Sequence, residues 1–412
     1  MDSFENRSGH IGYEEALNLT LKNITPLSDE LCPTMQAIGR VASIPVKASV
    51  NLPSADSSLK DGYAVVSSDI DNASPSMPVS LRLIGISNAG EESNVQLVPG
   101  TAVRVLSGAS IPIEADAVLA EEFTISDGAW IRAFADAGVG RNILKKGADI
   151  KFGDELITAG EIVTPAKVGL LIAGGVFNIR VARTPKVALL ATGDEVVLPG
   201  RPMTRGKLYA SNIALQQAWL NSLGISCFTE ISGDSFGQLT RLIDEMISEC
   251  DLLITSGGAW TGDRDLVVKA FKRLKWTPVF HRVRMGPGKA VGMGLLNNKP
   301  VFCLPGGPPS NEMAFLMITL PGISRMLGRE KSLLPILFGV LTEEVSGQKE
   351  WTQFVHCDLT SVNGEFHLKP FDMATRLSAM TYSKAIIKIP EGVGKLGAHT
   401  RVPFYCTDLY SC

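Results

Sequence analysis

Two loops in this sequence set paired carboxylates beside glycines at the ends of apolar runs. The first reads Thr192-Gly193-Asp194-Glu195 and follows Val187 to Ala191. The second reads Ser256-Gly257-Gly258-Ala259-Trp260-Thr261-Gly262-Asp263-Arg264-Asp265 and follows Leu252 to Thr255, just before helical text. Glycines let a backbone approach a phosphate closely, and the free N–H groups of a following helix start favour an anion. Carboxylates in the same loops would repel that anion unless a cation lay between them. Mg2+ bridging phosphate oxygens to one or two carboxylates is the usual arrangement. The two loops therefore read as a Mg2+-phosphate site; the alternative is that Asp194 and Asp265 only cap turns and helices.

Two further turns belong to the same pattern. Gly286-Pro287-Gly288-Lys289 would place a lysine beside a phosphate, and Leu304-Pro305-Gly306-Gly307-Pro308-Pro309-Ser310-Asn311 joins a strand end to a helix start. A lone Gly-Pro turn is usually only a turn. Four such elements on one sheet rim point to a shared site, because open α/β sheets bind ligands beyond the carboxyl ends of their strands.

The elements that must position these loops are legible in the periodicity. A leading helix is expected over Tyr13 to Ile24, where Ala16, Leu17, Leu21 and Ile24 recur at helical spacing before Pro26. From Pro45 to Ile150 short β-rich runs, such as Val79 to Ile86 and Thr101 to Leu106, indicate a β domain. From Lys186 strands and helices alternate: Val187 to Ala191, helix Asn212 to Leu223, Ile225 to Ile231, helix Leu239 to Cys250, Leu252 to Thr255, helix Leu266 to Leu274 and Val301 to Leu304. This alternation implies a mostly parallel sheet with helices on both faces. Val279 to Met285 reads as one extended segment, and Asn311 to Met326 as a helix interrupted near Pro321. Beyond Gly328, runs such as Leu334 to Leu341, Phe354 to Leu359 and Ala385 to Ile389 suggest a terminal β domain. The fold class expected is multidomain α/β and β.

Length and composition bound the function. A chain of 412 residues suggests roughly three units of about 150 residues. Its net charge of -3 lacks the basic excess of a nucleic-acid binder. The longest apolar stretch, Val168 to Ile179, is broken by glycines and too short to span a membrane; it reads as core. The polar start, Met1 to His10, has no signal-peptide pattern, so a cytoplasmic location is expected. Seven scattered cysteines without a C-x-x-C pair suit reduced thiols better than a disulfide framework or a zinc site.

The order T-G-D-E, S-G-G with G-D-x-D, P-G-K and L-P-G-x-P resembles the molybdopterin-binding domain shared by MoeA, MogA and the gephyrin E domain. Three upstream segments narrow the resemblance to MoeA. They are Ser58-Leu59-Lys60-Asp61-Gly62-Tyr63-Ala64-Val65, preceded by Leu52-Pro53; Arg104-Val105-Leu106-Ser107-Gly108-Ala109, followed by Pro112 and Ala115-Asp116-Ala117-Val118; and Gly140-Arg141-Asn142-Ile143 with Gly147-Ala148-Asp149-Ile150. The resemblance runs through Gly328 and, more weakly, over Gly392 to Val402.

What the resemblance implies is a four-domain, elongated homodimer. Residues 1-25 plus 180-327 would form a MogA-like α/β domain, 26-48 plus 149-179 a connecting domain, 49-148 a β-rich domain and 328-412 a barrel-like β domain. The active cleft would lie between the α/β domain of one subunit and the N-terminal regions of the other. The implied reaction inserts molybdenum from molybdate, or tungstate, into adenylylated molybdopterin with Mg2+ present and AMP released. Carried over by position, Glu195 and Asp265 would contact Mg2+, with Asp61, Ser107, Asp149, Asp234 and Lys289 as further catalytic residues. Thr192, Gly193, Asp194, Ser211, Ser256, Gly257, Gly258, Asp263, Pro305, Gly306, Gly307 and Ser310 would bind substrate. A MogA-like adenylyltransferase and cofactor-receiving enzymes are the implied partners, with neither nucleic acid nor membrane among them.

The chain departs from the family pattern at Leu144, Trp260-Thr261, Gly286, Gly307 and Pro309, and in the segment Gly347 to Phe354, which lacks the expected Arg-rich text. Most of these changes remove cationic or polar groups. Lys145, Arg264 or Arg284 could supply positive charge for an oxyanion, although each reads first as a solvated surface charge. The alternatives are a tungstate-preferring paralogue, a MogA-like adenylyltransferase, and a non-catalytic scaffold of the gephyrin kind.

Overall fold

The computed structural model describes residues 10–91, 93–257, 266–371 and 377–408. Two compact units result, one of residues 31–181 and one combining the chain up to Glu30 with residues 182–412.

In the larger unit, a six-stranded sheet runs in the order Cys227–Ser232, Val187–Thr192, Leu252–Ser256, Lys299–Leu304, Gly292–Leu296, Thr277–His281. The first four strands are parallel and the last two antiparallel. Successive side chains point to opposite faces, which sorts the strand residues into two cores. Val187, Leu189, Ala191, Leu252 and Ile254 pack with the helices Tyr13–Asn23 and Ser211–Ser222. Ala188, Leu190, Leu253, Val301 and Cys303 pack with Phe236–Glu249 and Leu266–Arg273. The expected doubly covered, mostly parallel sheet is therefore present.

The fold corrects one expected strand and gives the expected helix interruption its form. The stretch expected as one extended segment, Val279 to Met285, is split at Arg282, whose φ of 68° turns the chain. Thr277–His281 stays in the sheet, while Val283–Gly286 leaves it to lie between Ile11–Gly12 and the start of Thr352–Val362. The interruption near Pro321 is a π-helical turn, Phe315–Thr319, between the helices Pro308–Ala314 and Leu320–Met326. Proline has no N–H and its ring crowds the carbonyl four residues back. That carbonyl, Met317 O, instead accepts from Tyr13 Oη at 3.3 Å.

Five strands close a barrel in the C-terminal region: Thr352–Val362, Glu365–Pro370, Ile336–Leu341, Arg401–Cys406 and Ala385–Ile389, the last pairing back onto the first. Its interior holds Leu341, Leu368, Ile387, Ile389 and Phe404. Cys32, Cys227, Cys250, Cys303 and Cys357 are free thiols, as expected. Cys406 departs from that expectation and is disulfide-bonded.

The unit of residues 31–181 is built on a six-stranded sheet ordered Ala117–Ala120, Gly62–Val65, Thr101–Val105, Val79–Ser87, Trp130–Ala133, Thr124–Ser126. Strand alternation again gives two cores, with Tyr63, Val65, Ala102 and Leu119 on one face and Ala64, Val103, Val105 and Val118 on the other. Gly62 is required, because a Cβ there would lie 2.1 Å from Leu119 O. A third core joins Ala37, Val46 and Ile157 to Leu171 of helix Pro165–Ala173. The run expected as core from Val168 to Ile179 is only partly buried: Leu170 and Phe177 face solvent at 39% and 66% exposure. The helix and the Gly174-Gly175 turn give the run two sides, and only one is covered. No helix among the described residues is long and apolar enough to cross a membrane.

A bidentate ion pair anchors the first sheet strand. Arg183 donates from Nη1 and Nη2 to Asp251 at 2.8 and 2.7 Å, and Lys186 N donates to Asp251 Oδ2 at 2.8 Å. The guanidinium hydrogen bond is the main cause that lowers the Asp251 carboxyl below its usual range. A depressed folded pKa contributes stability above the unfolded value of about 3.9, lost as pH falls through the folded value. Asp251→Asn is expected to cost about 1–2 kcal/mol, a few degrees of melting temperature, at neutral pH. Thermal melts across an acid series should show the difference from wild type closing as pH falls.

Candidate active site at the strand ends

The parallel register places Thr192 beside Ser232, Ala191 beside Ser256, and Ser256 beside Leu304. The loops carrying Asp194, Asp234, Gly257 and Pro305 thus leave one carboxyl edge of the sheet. They touch one another. Gly193 N donates to Ser232 O at 3.1 Å, Gly257 N to Leu304 O at 3.1 Å, and Asp234 N to Asp194 Oδ1 at 2.9 Å.

The glycines here leave room for the carboxylates and for close backbone approach. Gly193 has φ 132°, and a Cβ on it would lie 2.5 Å from a Glu195 carboxylate oxygen. A Cβ on Gly233 would lie 2.6 Å from Asp194 Oδ1, and one on Gly257, at φ 95°, 2.9 Å from Thr192 O. The Asp194 and Glu195 carboxylates therefore lie over bare glycine backbone. Lys207 Nζ donates to Asp194 O, and Leu208 N to Glu195 O at 2.8 Å.

A buried amide network ties the rim together. Asn212 Nδ2 donates to Ser256 Oγ at 3.1 Å and to Gly306 O at 2.8 Å. Asn311 Nδ2 donates to Ser256 Oγ at 3.0 Å and to Pro305 O at 2.8 Å, while Gln216 Nε2 donates to Asn311 Oδ1 at 2.6 Å. Ser211 opens helix Ser211–Ser222, and Gly307 precedes helix Pro308–Ala314, which carries Ser310. The Gly286-to-Lys289 turn packs against that helix, since a Cβ on Gly288 would lie 3.3 Å from Ser310 O.

Thr192, Gly193, Asp194, Glu195, Ser211, Asp234, Ser256, Gly257, Pro305, Gly306, Gly307 and Ser310 thus gather on one rim, with the Lys289 turn beside it. Gly258, Asp263 and Asp265 lie outside the described residues, as do Trp260 and Arg264.

Of the charges considered for an oxyanion, two already have carboxylate partners. Lys145 pairs with Asp56 at 2.8 Å, and Arg284 with Glu391 at 3.2 Å, while Arg284 Nη1 also donates to His10 O. Burial, then the charges of Arg282, Lys289 and Arg284, lowers the His10 pKa, so these cations share one neighbourhood.

Within the unit of residues 31–181, the upstream motifs also assemble. Asp61 Oδ1 accepts from Ser107 N at 2.7 Å, the main cause that lowers its pKa. Gly108 N donates to Ser58 O at 2.8 Å and Leu59 N to Asn142 O at 2.9 Å. Asp149 is exposed, and its N–H donates to Leu52 O at 3.0 Å.

Sequence reasoning misses a cleft of 310 Å³ next to the rim, lined by Asn212, Leu215, Pro308, Glu312, Leu377 and Met380 among others. Glu312 is 7% exposed, and burial pushes its carboxyl up to about 7. His356, 1% exposed, has Nε2 3.4 Å from Glu312 Oε2, and burial lowers its pKa to about 4. Two signals in the chain point that way. Glu312 is the one charged residue between Lys299 and Arg325, and alternation from Phe354 puts His356 on the inward side of its strand.

Residues 11–175 match the MoeA N-terminal region (domain I and II), and residues 188–325 match a probable molybdopterin binding domain. Molybdopterin molybdenumtransferase 2 of Mycobacterium tuberculosis is 30% identical over 376 residues, covering 90% of this chain and 93% of that protein. A molybdopterin molybdenumtransferase of Staphylococcus epidermidis is 25% identical over 401 residues, covering 97% and 96%. A crystal structure of a molybdopterin biosynthesis MoeA protein from Pyrococcus horikoshii superposes with TM-score 0.84 at 30% identity, covering 97% of this chain and 99% of that one. With both regions matched in this order and a relative 30% identical over 90% of its length, the chain belongs to the MoeA family of molybdopterin molybdenumtransferases, which are transferases.

Proposed function

We propose that this protein inserts molybdenum from molybdate into adenylylated molybdopterin, releasing AMP, in the Mg2+-dependent final step of molybdenum cofactor synthesis. The observation that carries the reading is the shared rim of carboxylates, glycine backbone and helix starts at the ends of adjacent parallel strands. In the reaction water attacks one anhydride phosphorus, forming a new P–O bond and losing its proton to solvent, as the bridging P–O bond between the pterin phosphate and AMP breaks and negative charge grows on the departing oxygen. Positioning and charge neutralisation supply most of what such a cleavage needs.

Among the described residues no group of three His, Cys, Asp or Glu side chains could hold a metal alone. Mg2+ needs no such cage, because it keeps waters and takes one or two carboxylates together with phosphate oxygens. The hard-oxygen carboxylate of Glu195 fits it, with Asp194 and Asp234 on the same rim, and Asp265, outside the described residues, would be the second carboxylate. When bound, Mg2+ would neutralise phosphate charge at the anhydride. Gly193, Gly257 and Gly306 let backbone approach the phosphates, Asn212 and Asn311 fix the loops, and Lys289 supplies a further positive charge.

A MogA-like adenylyltransferase would supply the substrate and a cofactor-receiving enzyme would take the product. The protein would act as a cytoplasmic homodimer, for which sedimentation at micromolar concentration should give twice the chain mass. The Asp61–Ser107 pair, within the region matching the MoeA N-terminal model, favours insertion over adenylylation alone. The test is to incubate purified protein with adenylylated molybdopterin, Mg2+ and molybdate or tungstate, following AMP and active cofactor. Both products should appear together and disappear with a chelator; AMP-independent or chelator-resistant insertion would refute the reading.

A further inference from the structure

Phosphate-binding loops leave the neighbouring cleft unexplained. Its 310 Å³ lies at the small end of ligand pockets, about 300–1,000 Å³, enough for a flat bicyclic ring. Leu215, Pro308, Leu377 and Met380 make apolar walls, and Asn212 joins the cleft to the rim. Among the described lining residues only Glu312 is ionisable, and its Oε2 has no hydrogen-bond partner. A buried carboxyl left without partners is costly. Behind it stands His356. The Ser383 hydroxyl donates to Ala385 O at 3.0 Å, so its oxygen accepts from His356 Nδ1–H at 2.9 Å. That tautomer leaves the Nε2 lone pair facing Glu312 Oε2 across 3.4 Å without a hydrogen bond, so the imidazole acts on the carboxyl by packing against one side of it.

We propose that this cleft takes the pterin ring of the substrate, with Glu312 accepting hydrogens from the 2-amino group and adjacent ring N–H, and His356 as the positioning residue. The proposal rests on the molybdenum-transfer reading above. A pterin presents two neighbouring donors on one edge, which match a carboxylate. Adenine flanks its amino group with ring nitrogens whose lone pairs a carboxylate would repel. Helix Ser211–Ser222 offers Ser211, Asn212 and Leu215 to the cleft, and helix Leu377–Tyr382 offers Leu377, Met380 and Thr381. None is charged, so His356 is the titratable neighbour of Glu312 among these described residues. Burial disfavours charge on both groups in the empty cleft, and a donor edge would relieve that penalty at Glu312.

The experiment titrates purified wild type and Glu312→Gln with pterin, with pteridin-4-one, which lacks the 2-amino group, and with AMP. Wild type should bind pterin about tenfold more tightly than pteridin-4-one, the difference between a charge-assisted and a neutral contact. Glu312→Gln should lose most of that preference and keep its AMP affinity. Leu215→Trp, which fills the cleft and leaves the carboxyl intact, should weaken pterin at least about tenfold while melting normally. Equal binding of the two pteridines by wild type, a preference that survives in Glu312→Gln, or a fall in AMP rather than pterin affinity would overturn the assignment. Wild-type turnover with complete substrate is read separately. Turnover without any Glu312-dependent pterin preference sinks only the pterin subsite, whereas absent turnover sinks the molybdenum-transfer reading.

Discussion

Glu195→Gln is expected to lower kcat for AMP release by about 10²–10³-fold, the usual loss when one preorganised electrostatic contact to developing charge is removed. The substitution keeps side-chain volume and removes only the charge. Glu195 follows the Thr192-Gly193 strand end, and its carboxylate folds over Gly193, where no Cβ intervenes. Its backbone carbonyl is held by Leu208 N, so the amide variant should keep the loop path. The melting temperature should therefore stay within about a degree of wild type, as for other exposed substitutions. Raising Mg2+ should recover part of the lost rate if the carboxylate acts through the ion. Undiminished turnover at ordinary Mg2+ would remove Glu195 from the site.

Asn311→Ala is expected to cost about 3 kcal/mol of stability and to disable the rim at the same time. The residue is fully buried, and its side chain makes three hydrogen bonds, to Ser256 Oγ, to Pro305 O and from Gln216 Nε2. Alanine would strand buried partners, each worth about 1–3 kcal/mol when left unsatisfied. For a unit of this size the melting temperature should fall by roughly 6–12 °C. The loops after Leu252–Ser256 and Lys299–Leu304 would lose their common tie, so KM for the nucleotide-pterin should rise even where the variant remains folded. A variant with unchanged melting and KM would show that the network is ornamental.

Much of the site is legible in the chain itself, for a physical reason. Thr192-Gly193-Asp194-Glu195 and Leu304-Pro305-Gly306-Gly307 lie at the ends of apolar strands, and glycine beside carboxylate is a local pattern with local causes. The strand Val187–Thr192 and helix Phe236–Glu249 are legible for the same reason, since periods of two and 3.6 residues are written into the chain. Val279 to Met285 reads as a single strand because nothing in its composition marks Arg282 as the residue with positive φ. Leu170 and Phe177 read as core because apolar text does not say which side of a turn will be covered.

The sequence by itself determined the kinds of element, the loops that bear carboxylates and glycines, and, through its motif order, the family. Only the tertiary structure decided which loops share an edge, that Asn212, Gln216, Ser256 and Asn311 form one network, and that Glu312 meets His356 beneath a cleft. Asn212 and Ser256 stand 44 residues apart along the chain, and Gln216 and Asn311 stand 95 apart. Local periodicity acts over a turn of helix or a pair of strand residues, so contacts at such separations are fixed by strand order and core packing alone.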